Sequence, residues 1–211
     1  MPIRLDIDTR NTATPNQSSR HGAEPRWIVV HYTGVACQFG TDTARYMRRQ
    51  SSKVSAHFVV DHKSIIQVVP VHMQAWHVGS GQTDKRYERA ADARRFHEGI
   101  GRDFTGNRIS IGVELCVEKA ELGKRVEDPD WLFSTDTVVT AAQLIAMLMQ
   151  RYHIDTSHLI RHMDATGKPC PRPFVSLKAD GNTQNDHEWQ VFKLMCGQLA
   201  DGEPILGRIT R

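Results

Sequence analysis

The chain has 211 residues, of which 39% are hydrophobic and 24% are charged. This length is enough for one domain with a substantial core, and these fractions, which are close to those of globular proteins, exclude disordered, collagen-like and coiled-coil chains. The formal net charge is only +3 with neutral histidines, so charge gives no argument for a nucleic-acid partner, and we expect none.

The sequence also bears on membranes, export and redox state. No apolar run approaches the roughly eighteen residues that cross a bilayer, so we expect no membrane insertion. The first residues lack the uninterrupted apolar segment of a secretory signal, which predicts synthesis in the cytoplasm without a conventional signal peptide. The cysteines form no CxxC pair, a pattern typical of reduced thiols; they are Cys37, Cys116, Cys170 and Cys196.

The first half of the chain predicts strands more clearly than helices. Residues 1–25 are polar and interrupted by Pro, Asn, Ser and Gly, which predicts an irregular arm. The β-branched and aromatic run WIVVHY at residues 27–32 predicts a buried strand with His31 near its end. A short helix is expected to begin at Thr41 or Thr43. Two further strands are predicted as a hairpin, at residues 56–61 and 64–69.

The second half contains the clearest helix. Residues 79–107 are poor in apolar side chains and rich in arginine and glycine, which predicts a long surface excursion that is helical around residues 87–96. Apolar residues at 3- to 4-residue spacing predict a helix from Ser134 or Thr135 to about His153. The remaining predicted elements are a strand at 109–117, a brief strand at 159–162, a loop at 164–173 and a helix at 186–199.

Strands that alternate with helices, together with a hairpin, predict an α/β fold. We find no internal repeat and no second hydrophobic cluster, so we expect a single domain with a central mixed β-sheet flanked by helices. In this interpretation the domain spans residues 26–175. An irregular arm precedes it at 1–25, and a C-terminal extension at 176–211 packs on the same domain.

Two histidines and a cysteine follow predicted strands. His31 and His162 lie at strand ends, and Cys170 lies in the loop that follows. Two imidazoles and one thiolate are typical of a zinc site that keeps its fourth position open for water. Two alternatives stay open: these are structural histidines and an inert buried thiol, or the site is closed by a fourth ligand, with His57, His77 and Cys37 as the candidates.

Other side chains could take part in catalysis or substrate binding. Glu114 lies in a nearly apolar strand, where burial would raise its pKa and suit it to general-base catalysis; alternatively it points outward into water. Lys168 precedes the cysteine and could stabilise an oxyanion, or it is simply solvated. Trp76 and His77 could contact a sugar or a peptide, although a core Trp has the same signature.

Five motifs follow one another along most of the chain, and the last is the most specific. Their order resembles the zinc-dependent N-acetylmuramoyl-L-alanine amidase family of phage endolysins and bacterial autolysins, which is related to peptidoglycan recognition proteins. The motifs are WIVVHYTG at 27–34, VSAHFVVD at 54–61, AWHVGSG at 75–81, NRISIGVELCV at 107–117 and LIRHMDATGKPCPRPF at 159–174.

The resemblance implies an amidase or peptidoglycan-recognition-like fold with one Zn²⁺ per chain, bound by His31, His162 and Cys170. It also implies that Glu114 is the general base and that Lys168 stabilises the oxyanion. The residues that would contact the glycan or the stem peptide are Trp76, His77 and His57. Some family members keep a catalytic tyrosine beside the last of these positions, where this chain has Ala56.

The implied function is hydrolysis of the amide bond between N-acetylmuramic acid and L-alanine of the peptidoglycan stem peptide, in cell lysis or wall remodelling. The enzyme would act on the cell wall, in the periplasm or outside the cell, after release or delivery. Three alternatives stay open. They are a non-catalytic peptidoglycan-binding module, a thiol hydrolase with Cys170 as nucleophile and His162 as base, and an antibacterial effector toxin with an immunity or delivery protein as partner.

Overall fold

A computed structural model describes residues 3–10, 12, 14–35, 39–79, 95–98, 105–117, 131–176 and 184–203 of the chain. Strands in these residues form two sheets. Their bounds are β1 Gln17–Ser19, β2 Trp27–Tyr32, β3 Phe58–Val60, β4 Ile65–Gln67, β5 Met73–Ala75, β6 Ser110–Leu115 and β7 Leu159–Arg161. The larger sheet has five strands in the order β4-β3-β6-β2-β7, and β1 pairs with β5 in a separate antiparallel sheet.

The larger sheet is mixed, which confirms the predicted fold class. Strand β2 pairs in parallel with β6 and β7, and β3 pairs in parallel with β6, whereas β4 is antiparallel to β3. The carboxyl ends of parallel strands meet at one edge of a sheet, and ligands commonly bind there. This edge carries His31 at the end of β2, directly opposite Glu114 in β6, and His162 immediately after β7.

The helices have their own start and stop signals. Their bounds are α1 Gly40–Met47, α2 Gly106–Ile109, α3 Thr135–Tyr152, α4 His162–Thr166 and α5 Gln184–Ala200. Helix α3 confirms the clearest helix predicted from the sequence. The Ser134 hydroxyl caps its N-terminus by accepting a hydrogen bond from the Thr137 N–H at 3.2 Å. The helix ends at His153, which takes the left-handed conformation of a C-terminal cap.

Helices α3 and α5 cover one face of the sheet with an apolar core. Alternate residues of β2 and β6 point into this core, as the two-residue period of a strand requires. The core residues from these two strands are Ile28, Val30, Ile111, Val113 and Leu115. From the helices, Leu144 and Leu148 of α3 and Trp189 and Phe192 of α5 also belong to this cluster. The sequence prediction of a helix at 186–199 is confirmed by α5.

The predicted hairpin is confirmed by the antiparallel pairing of β3 and β4. Its turn is held by Asp61, whose Oδ1 accepts hydrogen bonds from the Lys63 and Ser64 N–H groups at 2.8 and 2.7 Å. The other carboxylate oxygen accepts from the Gly40 N–H at 2.9 Å. Helix α1 therefore begins at Gly40, earlier than the threonine caps predicted from the sequence, because a distant carboxylate binds its first free N–H.

The segment before β2 is more ordered than the irregular arm expected from its polarity. Residues 17–19 form β1, and Asp8 forms a parallel bridge with Ile66 of β4. Arg20 is only 2% exposed, and its guanidinium donates to the carbonyls of Val71 and Ser110 at 2.7 Å each. This segment is thus attached to the domain through hydrogen bonds as well as through Leu5 and Ile7, which pack against the core.

The loop predicted at 164–173 begins with helix α4, because the Asp164 carboxylate accepts the Arg161 N–H at 2.8 Å and caps that helix. Most of the excursion predicted at 79–107 lies outside the described residues, as does Cys37; the other three cysteines are free thiols. In the described part of the chain, no helix combines the length and the apolar character that spanning a membrane requires.

Candidate metal centre

The structure brings three predicted ligands together at the carboxyl edge of the sheet. His31 is the second-last residue of β2, His162 begins α4, and Cys170 lies in the loop after α4. One donor atom from each lies within 4.8 Å of the other two. The Nδ1 atom of His31 is 3.8 Å from the Cys170 Sγ, and the rings of the two histidines have centroids 4.6 Å apart. All three residues are buried.

Hydrogen bonds hold the loop that carries the cysteine. The Met163 N–H donates to the Cys170 carbonyl at 2.8 Å, and the Gly167 N–H donates to the Met163 carbonyl at 2.7 Å. Gly167 has φ of 87°, a conformation that favours glycine. At the start of α4, the Arg161 guanidinium forms a salt bridge of 2.7 Å with Asp164, which is nearly fully buried. These contacts fix His162 and Cys170 relative to each other.

Burial controls the protonation of all three groups. It lowers the pKa of His162 to about 3, and the charge of Lys168 lowers it further. Burial likewise lowers the pKa of His31 well below its usual value, with contributions from His162, His77 and Lys168. Burial raises the pKa of the Cys170 thiol to about 12, assisted by Glu114. Both histidines are therefore neutral at pH 7, the state in which imidazole binds a metal.

The Nδ1 atom of His162 is buried and has no hydrogen-bond partner among the described residues. Buried polar atoms without partners are rare in folded proteins and call for an explanation such as an ion. A cation held by the three side chains would give this nitrogen a partner. Two imidazole nitrogens and one sulfur are the donors that zinc prefers, whereas magnesium and calcium prefer oxygen. The donor set therefore fits zinc.

Glu114 and Lys168 lie in the same cavity as the three donors. The cavity has a volume of about 510 Å³, and its wall includes His31, His162 and Cys170. Burial raises the pKa of Glu114 to about 7, although the nearby charge of Lys168 opposes the shift. A carboxyl group with a pKa near neutrality can both take up and release a proton under ordinary conditions. The Lys168 side chain is exposed.

The predicted substrate contacts divide into two groups. Trp76 and His77 line the cavity. Trp76 is held at its edge by the bond from its Nε1–H to the Ser18 Oγ at 3.0 Å. His57 is fully buried and does not reach the cavity, which corrects its assignment as a substrate contact. Its Nδ1 instead accepts the Gly112 N–H at 2.9 Å, and burial lowers its pKa to about 3.

Sequence reasoning missed a residue that supports the cavity from behind. The Asn107 Oδ1 accepts hydrogen bonds from three successive N–H groups, those of His77, Val78 and Gly79, at 3.0, 2.8 and 3.1 Å. It thereby fixes the segment that carries His77. The only sequence signal was the position of Asn107 at the start of a recognised motif. An Asn in a polar stretch otherwise predicts a turn.

The rim of the cavity was also not predicted. It is apolar on the side of α1, where large side chains are partly exposed to solvent. They are Val35, Tyr46 and Val54, with exposed fractions of 54%, 47% and 42%. A groove with an apolar wall and a few polar groups at its floor is typical of a site that binds an organic ligand.

Comparison with known proteins identifies the family. The family described as N-acetylmuramoyl-L-alanine amidase matches residues 21–173, a range that includes every residue of the candidate site. The chain belongs to this amidase family. Its curated relatives include the N-acetylmuramoyl-L-alanine amidase CwlL of Bacillus licheniformis, which is 32% identical over 177 residues, or 79% of this chain and 42% of CwlL.

Another relative of this amidase-family chain is the N-acetylmuramoyl-L-alanine amidase XlyA of Bacillus subtilis. It is 29% identical over 185 residues, which make up 86% of this chain and 48% of XlyA. The chain thus spans less than half the length of these curated relatives.

Solved structures agree with the family assignment. A mutant endolysin from Bacillus subtilis is 25% identical and superposes with a TM-score of 0.62, covering 92% of this chain and all of the endolysin. The catalytic domain of XlyA is 26% identical, has a TM-score of 0.61 and is likewise covered completely. The mixed α/β fold of this amidase-family chain is therefore that of amidase catalytic domains.

Proposed function

We propose that this chain is a zinc-dependent amidase that hydrolyses the bond between N-acetylmuramic acid and the L-alanine of the peptidoglycan stem peptide. The observation that carries the proposal is the meeting of three donor atoms within 4.8 Å in one cavity with Glu114 and Lys168. Membership of the amidase family supports the substrate. The catalytic domain would be residues 26–175, and its place of action the cell wall.

His31, His162 and Cys170 would hold the metal. When bound, zinc supplies Lewis-acid chemistry, polarising a carbonyl and lowering the pKa of water toward 7. Cys170 would bind as the thiolate, since a coordinating thiol loses its proton. Three protein ligands would leave zinc one position for water or substrate, in a cavity that Glu114 and Lys168 also line. Two candidates for a fourth ligand of a closed structural site are directed elsewhere: His57 at backbone groups and His77 at His31 and Ser110.

Glu114 would transfer the proton. Its carboxylate takes a proton from the attacking water and later gives it to the amide nitrogen, so that the C–N bond breaks and a neutral amine leaves. The exposed Lys168 ammonium lies in the same cavity and would donate hydrogen bonds to the oxyanion that develops on the former carbonyl oxygen. Trp76 and the apolar rim would hold the glycan or the peptide against these groups.

The electrostatics of this cavity argue against a thiol hydrolase. A cysteine nucleophile reacts as the thiolate, and enzymes lower the thiol pKa to obtain it. Here burial raises the pKa of Cys170 to about 12, and the Glu114 charge adds to this shift, although the Lys168 charge opposes it. The neighbouring His31 and His162 rings are neutral, so neither supplies the positive charge that stabilises a thiolate.

One experiment separates these functions. Purified protein would be incubated with cell walls, with EDTA, and with EDTA followed by excess Zn²⁺, and the products analysed by mass spectrometry. We expect release of stem peptides with free L-alanine amino termini, loss of release with EDTA and recovery with zinc. Cell-wall binding without product would favour the binding module. Cleavage that resists EDTA and stops only after thiol alkylation would favour the cysteine enzyme.

A further inference from the structure

His31 and His77 form a direct hydrogen bond behind the metal centre. The His31 Nε2 is 3.0 Å from the His77 Nδ1, and the two rings meet edge to face with centroids 5.1 Å apart. The opposite nitrogen of His31, Nδ1, is the one that lies 3.8 Å from the Cys170 Sγ. One ring nitrogen of His31 therefore faces the other donors, and its second ring nitrogen faces His77.

The direction of this hydrogen bond follows from the next residue in the network. The Ser110 hydroxyl donates its only hydrogen to the Gly106 carbonyl at 2.6 Å. Its oxygen is also 3.2 Å from the His77 Nε2, so it must accept a hydrogen bond from that nitrogen. A neutral imidazole carries one N–H, which leaves the His77 Nδ1 as an acceptor. His31 consequently donates through Nε2–H and keeps the lone pair on Nδ1.

The backbone leaves a specific space for the His77 ring. A Cβ placed on Gly112 would lie 2.6 Å from the His77 Cγ, which is too close for any real contact, so only glycine fits beside the ring. The Asn107 Oδ1 accepts the His77 N–H at 3.0 Å and so holds the backbone of this residue. This hydrogen bond and the absence of a Cβ at Gly112 together define the position of the ring.

We propose that His77 is a positioning residue for the metal, not a substrate contact: it accepts the His31 Nε2–H and so keeps the His31 Nδ1 unprotonated and aimed at the donor cluster. Histidine ligands commonly donate their second N–H to such a partner, which fixes the tautomer and the ring orientation. Both His77 ring nitrogens are engaged, and neither remains for a substrate. The inference rests on the proposed function, since it assumes that His31 binds zinc.

The test measures zinc affinity rather than activity. Zinc dissociation constants would be determined by competition with a chromophoric chelator for the wild-type chain and for His77→Ala, His77→Asn and Gly112→Ala. Loss of the partner should weaken binding about 10- to 100-fold in His77→Ala. The Asn side chain keeps an acceptor oxygen near the Nδ1 position, so His77→Asn should recover most of that loss. Gly112→Ala should weaken binding like His77→Ala, because it displaces the ring.

A double variant distinguishes this role from a general loss of structure. Once His77 is alanine, the extra methyl at Gly112 has no ring to displace, so His77→Ala/Gly112→Ala should bind zinc as His77→Ala does. The control is His158→Asn, which removes a histidine bonded to Asp155 outside the metal centre and should leave affinity unchanged. Urea midpoints of the zinc-free variants would show that each remains folded.

Nitrogen-15 NMR spectra of the histidine rings give an independent readout. In the zinc-loaded wild-type chain, His31 should carry its proton on Nε2, with that proton shifted by the hydrogen bond to His77. If His77→Ala binds zinc as tightly as the wild type, the inference is overturned while the proposed amidase stands. If the wild-type chain binds no zinc at all, both are overturned.

Discussion

The two faces of the central sheet use the same strands for different purposes. On the face covered by helices α3 and α5, β6 presents Ile111, Val113 and Leu115 to an apolar core. On the opposite face the alternate residues of β6 are Ser110, Gly112 and Glu114. We call these the helix face and the site face. A period of two residues therefore separates the stabilising core from the chemistry of the cavity.

The two faces also differ in how their contacts depend on geometry. Apolar burial on the helix face is non-directional, and its contribution scales with the area removed from water. The site face also contains apolar clusters, which include Val29 and Val59, but the buried polar groups around its cavity are joined by directional hydrogen bonds, such as those of His57 and His77. We expect substitutions in the core of the helix face to change the free energy of unfolding, and substitutions of the cavity residues on the site face to change zinc binding or turnover.

The largest effect is expected for Glu114→Gln on the site face. The amide keeps the shape of the side chain but cannot take a proton from water, so kcat/KM for muropeptide hydrolysis should fall about 10²- to 10⁴-fold. About one zinc per chain should remain, because Glu114 is outside the donor set. The exposed Glu188→Gln is a matched control. Cleavage near the wild-type rate would remove Glu114 from the mechanism.

The wild-type pH profile sharpens this prediction. In the zinc-free chain burial raises the pKa of Glu114 to about 7. A zinc ion in the same cavity would lower this pKa, and only the deprotonated carboxylate can act as a base. The rate should therefore be high at pH 7 and above and fall at pH values below about 7. The residual rate of Glu114→Gln should lack this step. A step of the same size in both proteins would assign the titration to another group.

On the helix face, Leu144→Ala should lower the free energy of unfolding and leave the site unchanged, which is the reverse of the pattern expected for Glu114→Gln. Leu144 is fully buried in the core of α3, and truncation of such a leucine destabilises by about 2–5 kcal/mol. Zinc affinity of the folded variant should stay within about twofold of the wild type. Leu194→Ala on α5, where the side chain is 62% exposed, should cost less than about 0.5 kcal/mol. Urea denaturation and chelator competition measure the two quantities.

A large loss of zinc affinity in folded Leu144→Ala would mean that the two faces are coupled through the strands. The separation proposed above would then be wrong.

His57 ties the stability of the site face to pH. Its pKa is about 3 in the folded chain against 6.5 for an unperturbed histidine, because the ring is fully buried. The unfolded chain thus binds more protons between pH 6.5 and 3, and stability is lost as the pH falls through this window. Between pH 6.5 and 5 the loss from His57 alone should be about 2 kcal/mol.

Urea titrations at pH 6.5 and 5 would give the free energy of unfolding of the zinc-free wild type and of zinc-free His57→Asn. The contribution of His57 is the difference between the two proteins in the slope of this free energy against pH. The Asn oxygen can still accept the Gly112 N–H, so the variant should fold. His72→Asn, at an exposed position, is the matched control for replacing a histidine by asparagine. Equal slopes for wild type and His57→Asn would show that the buried ring does not oppose protonation.

The helix face was largely predictable from the sequence. The stripe of α3 and its Ser134 cap are local signals, and so is the apolar run of β2. The metal donors were also predictable, because His31 lies near the end of a strand, His162 follows one, and the order of the motifs resembles a known family. Local sequence patterns and motif order were therefore sufficient to predict the fold class and the residues that lie together in the cavity.

The remainder of the site face could not be predicted, because it depends on contacts between residues far apart in the chain. Strand β1 is polar and becomes a strand only by pairing with β5. Arg20 is buried because distant carbonyls, including that of Ser110, accept its hydrogen bonds. Side-chain bonds to a remote backbone leave no periodic signature. For the same reason the sequence suggested His57 as a substrate contact, when Gly112 binds its ring inside the fold.

The smallest effect is expected at the N-terminal cap of α3. It tests whether this local signal of the helix face contributes to the free energy of unfolding on its own. Ser134→Ala removes the hydroxyl that accepts the Thr137 N–H at the start of α3, and loss of such a cap costs about 1 kcal/mol. Thr135→Ala removes a hydroxyl from the neighbouring exposed position and should change the urea midpoint much less. Zinc affinity should be unchanged in both. Equal midpoints for the two variants would mean that packing of α3 on the sheet, without its cap, is sufficient to define where the helix begins.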